Sequence, residues 1–406
     1  MLVDVPVAFI LIGLAAYTVL AGADFGAGFW TLLAGGGQAT PEQTRDHARH
    51  AMGPVWEANH VWLIFVLVVC WTAYPVAYAS IVSTLAVPLL IAAVGIILRG
   101  ATYALRSQLD DHRGRRAVER VFAISSLLTP FAMGTIAGAI ATGRVPVGNA
   151  AGSLVTSWLN PMSIVVGLLG VATSTYLAAV YLAADAHRLG EDTLVRDFRH
   201  RALWSGLATG ALAGIGLVTA RFAARALWHG LTTGWGLAML IASAVAGVAT
   251  LALVWRGRFG PARVCAAVAV AAIVGGWAAA QRPTFLPGLT VAQAAASRPV
   301  LIAVVAAVAI GAVVLIPALV LLFGLFLGGR LDHADHGGGP AALDPGVPHR
   351  PPHRRLLSAF AAACFVGGAG LMLLTDPGPT FVVAVAALVA CAVCTFVLAT
   401  AHTPDA

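Results

Sequence analysis

Eleven apolar stretches, each about 20 residues long and so long enough to cross a bilayer, divide this 406-residue chain and decide most of what it can fold into. In lipid the backbone must satisfy its own hydrogen bonds, so each stretch predicts a helix. They fall at roughly 5–33, 59–81, 83–105, 120–141, 159–184, 202–220, 234–255, 262–280, 299–327, 356–375 and 379–401. Only 10% of residues are charged, where a soluble domain carries about a quarter. The expected class is therefore an all-α polytopic membrane protein with about 11 transmembrane helices. Length sets no count of soluble domains when most residues sit in the bilayer.

Charge placement orients the chain. The net charge of +7 rests on 24 arginines, with no lysine anywhere. Loops after odd-numbered helices hold 19 of them and loops after even-numbered helices hold 5. The positive-inside rule puts the odd loops in the cytoplasm. The N-terminus is then periplasmic and the C-terminus cytoplasmic. Arginines spread over short loops form no basic patch, which excludes a nucleic-acid partner. Met1-Leu-Val-Asp4 lacks the basic region of a cleavable signal. The five cysteines all lie in apolar runs and read as small hydrophobes, with no disulfide framework.

Polar residues inside such a chain are costly and therefore informative. The densest group is Gly53-Pro-Val-Trp-Glu-Ala-Asn-His-Val-Trp-Leu-Ile64, which runs directly into an apolar segment. Gly53-Pro54 predicts a turn, with Glu57 in the first turn of the helix that follows, where the helix dipole favours a carboxylate. Glu57 and His60 are three residues apart and share a helical face, with Asn59 beside them. Such a pair at a membrane surface either caps the helix or passes protons. Asp24 lies deeper, among the small residues of Ala21-Gly-Ala-Asp-Phe-Gly-Ala-Gly28. It reads either as a tie between two helices or as a proton-relay or subunit-contact site. Arg99, ending the third helix, either pairs with Asp24 or Glu57 or snorkels to the headgroups. Gly22-x-x-x-Gly26 and Gly206-x-x-x-Gly210-x-x-x-Gly214 offer flat faces for close helix approach.

Residues 329–355 break the apolar pattern with Leu331-Asp-His-Ala-Asp-His-Gly-Gly-Gly339 and a Pro-rich run containing His349 and His353. They predict a cytoplasmic linker. Its contiguous Asp332, His333, Asp335 and His336 lack the spacing that would orient metal ligands. The chain shows no phosphate loop, no C-x-x-C-H haem motif and no nucleophile constellation.

Gly22-Ala-Asp-Phe-Gly26, the Gly53–Ile64 stretch, Arg99-Gly-Ala-Thr-Tyr103 and Pro283-Thr-Phe-Leu-Pro-Gly-Leu-Thr290, in that order, resemble subunit II of the cytochrome bd-type quinol oxidases. The resemblance covers residues 1–328. It implies two four-helix bundles plus one extra helix in that region. It implies a non-haem membrane subunit that stabilises a haem-bearing subunit I and contributes to proton and oxygen access. Haem b, haem d-type groups and the quinol site are expected in that partner, with no cofactor, metal or catalytic residue in this chain. Carried over, Glu57 and Asp24 belong to a proton path and Trp62 to an oxygen route. His60 joins the path by its place beside Glu57, since family members differ there. Arg99, Trp56 and Asn59 are expected to be structural or to face the interface.

The expected organisation is a nine-helix domain at 1–328, the linker at 329–355 and a two-helix hairpin at 356–406. The resemblance does not reach the last two parts, which would cover an edge, replace a small single-span accessory subunit, or decorate the fold. The expected setting is the bacterial cytoplasmic membrane, among lipids and quinone. The competing function is a proton-coupled secondary transporter using Asp24 and Glu57. That class usually carries broken helices in corresponding halves and polar residues at the midplane, where only Asp24 fits.

Overall fold

The structure is a computed structural model. It describes residues 2–106 and 112–327, and in the C-terminal part 359–364, 366–367, 383, 386–387, 390–391 and 394. At 52–54, 56–58, 103–106, 112–117 and 322–327 only the backbone is described. The chain divides into two compact units, Met1–Asp332 and His333–Ala406. The linker histidines and aspartates and most of the last two expected spans lie outside the described residues.

A 3-10 turn at Leu2–Asp4 leads into α1 (Val5–Leu32). There follow α2 (Pro41–Ala73), α3 (Pro75–Thr84), α4 (Ala86–Arg106), α5 (His112–Ala141), α6 (Pro161–Leu189), α7 (Asp192–Ala223) and α8 (Arg225–Leu231). The first unit closes with α9 (Gly234–Trp255), α10 (Phe259–Gln281), the hairpin β1 (Thr284–Leu286) and β2 (Leu289–Thr290), the short α11 (Val291–Ala294) and α12 (Arg298–Leu327). α1, α2, α4 and α5 pack as one group, α6, α7, α9 and α10 as a second, and α12 leans on α2 and α1. The groups meet where α1 and α5 pack on α6. There a Cβ on Gly26 would stand 1.9 Å from the Ser174 carbonyl oxygen, so only glycine permits the approach. Of the second glycine face, Gly206 meets Leu251 and Tyr176, while Gly210 and Gly214 face open space.

Seven described helices are long and apolar enough to cross a membrane, and the pair α3–α4, bent by 83°, makes an eighth. α2 adds the shorter apolar stretch Asn59–Ala73. The fold is all-α and multi-pass, and the count of eleven is not reached among the described residues.

Several boundaries differ from expectation: α5 and α7 begin at His112 and Asp192, where the apolar runs start at 120 and 202, and α2 differs most. The second helix begins at Pro41, not near residue 59, and runs unbroken through Gly53-Pro54. Its true start is a capping box, in which Thr40 accepts from Gln43 N and the Gln43 side chain from Thr40 N, with proline at the first position. Glu57 therefore sits well inside α2 rather than in its first turn, away from the helix dipole. The same helix was expected to continue to residue 81, but it ends at Ala73, because Pro75 cannot accept the turn that precedes it.

One end of the first unit is closed by segments far apart in sequence. Tyr74 Oη donates to Val3 O at 2.5 Å, Arg282 pairs with Asp4 at 2.7 Å, and Ala296 N donates to Ala73 O. Leu85, Val145 and Leu286 fill the apolar core beneath them.

Candidate functional site

α1 carries Asp24 into the first helix group, where its side chain is fully buried. Small neighbours on α1 let α2, α4 and α5 close around it. Arg99 on α4, 1% exposed, donates Nη2 to Asp24 Oδ1 at 2.5 Å and to the Asp24 backbone oxygen at 2.7 Å. Its Nη1 donates to Ser126 Oγ on α5. Asn59 on α2, also 1% exposed, donates Nδ2 to Asp24 Oδ2 at 3.1 Å. The guanidinium lies between the rings of Phe122, 4.3 Å from its centroid, and Phe25, at 5.1 Å. A Cβ on Gly28 would fall 2.1 Å from Ser126 Oγ and 3.0 Å from Arg99 Nη1, so this glycine makes the room the guanidinium occupies.

The arrangement is a buried, net-neutral ion pair held from four helices. Burying one charge alone is strongly unfavourable, and a partner with extra hydrogen bonds offsets that cost. Arginine suits the task because its planar fork can serve Asp24 and Ser126 at once. The two readings left open for Arg99 are resolved: it turns inward to Asp24 and does not snorkel.

Of the residues singled out in sequence, the structure brings Asp24, Asn59 and Arg99 into contact, and His60 follows Asn59 in α2, half-buried. Trp62 is half-buried one turn farther along α2. It packs on the cluster of Tyr17, Ala21 and Phe25 and meets Phe65 edge-on at 6.0 Å. Glu57 and Trp56 have helical backbone in α2, and their side chains lie outside the described ones. Sequence reasoning missed Ser126, Phe122 and Tyr17. A serine or a tyrosine in an apolar helix gives no signal of its own. Their spacing on the helix faces toward Asp24 is legible only once α4 and α5 are placed.

A second polar contact set supports the turn between α1 and α2. Asp197 on α7 accepts from Gln38 N at 3.0 Å and Ala39 N at 2.9 Å. His47 Nε2 donates to Leu182 O at 3.0 Å, which ties α2 to α6. Among the described residues, no three histidine, cysteine or acidic side chains converge as metal ligands would.

A multi-pass helical membrane protein with a buried carboxylate–guanidinium pair in its first helix group is the class that fold and site define. The family model of cytochrome bd terminal oxidase subunit II matches residues 2–326, and the chain belongs to that family. It is 29% identical over 130 residues to cytochrome bd ubiquinol oxidase subunit 2 of Bacillus subtilis, covering 32% of this chain and 37% of that one. It is 27% identical over 187 residues to cytochrome bd-I ubiquinol oxidase subunit 2 of Escherichia coli K12, covering 43% and 47%. The matched region thus spans less than half the length of these curated relatives. A chain of the solved bd oxidase from Geobacillus thermodenitrificans superposes with a TM-score of 0.63 at 26% identity, covering 80% of this chain and 98% of that one.

Proposed function

We propose that this chain is the non-haem membrane subunit of a quinol-oxidising, oxygen-reducing bd-type oxidase. The observation that carries the reading is family membership over residues 2–326. The chain stabilises a haem-bearing subunit I and gives protons and oxygen access to it. Haem b, haem d-type groups and the quinol site belong to that partner.

In this reading Glu57, His60 and Asp24 belong to a proton path opening on the cytoplasmic side, with the N-terminus periplasmic. Trp62 flanks an oxygen route, and Arg99, Asn59 and Trp56 hold the assembly. Arg99 and Asn59 hold Asp24 in place, so Asp24 can exchange a proton only with groups that reach its remaining lone pairs. Residues 329–355 form a cytoplasmic linker, and 356–406 a hairpin that covers an edge or stands where a small single-span accessory subunit would. The secondary-transporter reading has the family membership against it.

Purification from native membranes tests the whole. The chain should copurify with a haem-bearing polytopic partner and with quinol-dependent oxygen consumption; a chain that comes away alone, without that activity, sinks the reading. For the proton path, Glu57→Gln in the assembled complex should slow turnover while haem content stays normal. Unchanged turnover would leave a scaffold role only.

A further inference from the structure

Three polar groups in the first helix group retain unused hydrogen-bonding capacity. The Tyr17 hydroxyl is fully buried in a residue only 6% exposed and has no hydrogen-bond partner among the described residues. Arg99 Nε is buried in the same condition. Each Asp24 oxygen takes one side-chain bond, whereas an ionised carboxylate offers about four acceptor sites.

These atoms share a neighbourhood. Tyr17 and Asp24 are seven residues apart on α1, which places them on one face about 10 Å apart along the axis. Arg99 lies over the Phe25 ring, and Phe25 belongs to the same buried cluster as Tyr17. Tyr17 stands near the middle of the Leu2–Leu32 span. Trp62, Leu63, Ile96 and Met133 pack around this cluster and offer no side-chain carbonyl, carboxylate or hydroxyl. A buried donor or acceptor with no protein partner is satisfied in folded proteins by ordered water, which needs a roomy polar site with two to four polar partners.

We propose that Tyr17, Asp24 and Arg99 line an internal hydrated pocket between α1, α2, α4 and α5, where ordered water joins the Asp24 carboxylate to the Tyr17 hydroxyl. The inference rests on the proton-path reading and deepens it. Asp24 becomes a station midway along the route, and Tyr17 the positioning residue that carries the water line to the centre of the membrane. No bond is made or broken at Tyr17. Its hydroxyl orients water, accepting from one molecule and donating to the next.

The test uses the complete complex with its haem-bearing partner. A high-resolution density map of the wild-type complex should show water within hydrogen-bond distance of Tyr17 Oη and of Arg99 Nε, continuous with Asp24. A dry apolar contact, or the density of a larger molecule filling the gap, overturns the proposal. Tyr17→Phe should keep haem content and assembly, slow oxygen consumption by about tenfold or more, and raise the solvent deuterium isotope effect on turnover. Normal turnover and an unchanged isotope effect in Tyr17→Phe, alongside a slowed Glu57→Gln, would overturn the pocket and leave the proton path standing. Normal turnover in both would remove the path itself. If Tyr17→Phe fails to assemble, the wild-type water density decides.

Discussion

Asp24 and Arg99 form a unit whose two halves have no separate value. A buried ion pair adds little net stability, because desolvation of each charge offsets their attraction, yet removing one partner leaves the other stranded. Arg99→Met should therefore cost about 3–5 kcal/mol, read by thermal unfolding of the purified complex. The double variant Asp24→Asn/Arg99→Met should lose clearly less than the sum of the two single variants; strict additivity would show that the pair does not act together. Asp24 was legible in sequence because a carboxylate among alanines and glycines has so few explanations. Its partner was legible only as one of two alternatives, since nothing in Arg99-Gly-Ala-Thr-Tyr103 distinguishes an inward arginine from one that reaches for headgroups. Ser126 and Tyr17 carry no such mark. Their meaning comes from facing a charge on another helix.

At the level of elements, the apolar runs located the spans of residues 1–327, and the ends were misplaced for two reasons: polar first turns carry α5 back to His112 and α7 back to Asp192, outside the apolar runs, and prolines misled elsewhere. Gly53-Pro54 read as a turn, yet the helix passes through it, because a capping box upstream had already started the helix and neighbouring elements can satisfy a freed carbonyl at membrane depth. Pro75 stands inside the run expected to continue to 81, yet there the helix stops and the next pair of helices bends by 83°. Helix contacts offer two further tests. Gly26→Ala would drive a methyl group into the Ser174 carbonyl and force α1 away from α6, with an expected loss of about 1–3 kcal/mol from overpacking. A denaturation midpoint equal to wild type would show that the approach is looser than the structure has it. Asp197→Ala strands two amides in the α1–α2 turn, Gln38 N and Ala39 N. Stability should fall by about 1–3 kcal/mol, and hydrogen exchange at those two amides should accelerate, with the helices on either side unaffected.

For the molecule as a whole, the family region and the compact first unit end within a few residues of each other, at 326 and Asp332. A chain shortened after Asp332 should still insert, pair with its partner and support normal haem content, judged by copurification and absorbance; loss of the complex would give the last residues a structural duty. The end of the first unit knit together by Asp4–Arg282, Tyr74–Val3 and Ala296–Ala73 has a consequence for biosynthesis. A ribosome makes Asp4 long before Arg282, so during synthesis Val3 can meet Tyr74 early, whereas the Asp4–Arg282 contact waits until ten later helices have been made. The latch closes only on a polypeptide translated at least that far. Quality-control proteases that probe nascent membrane proteins would thus find an amino terminus lacking its Arg282 contact on a product that ends before that residue, and one holding it on a chain translated past it.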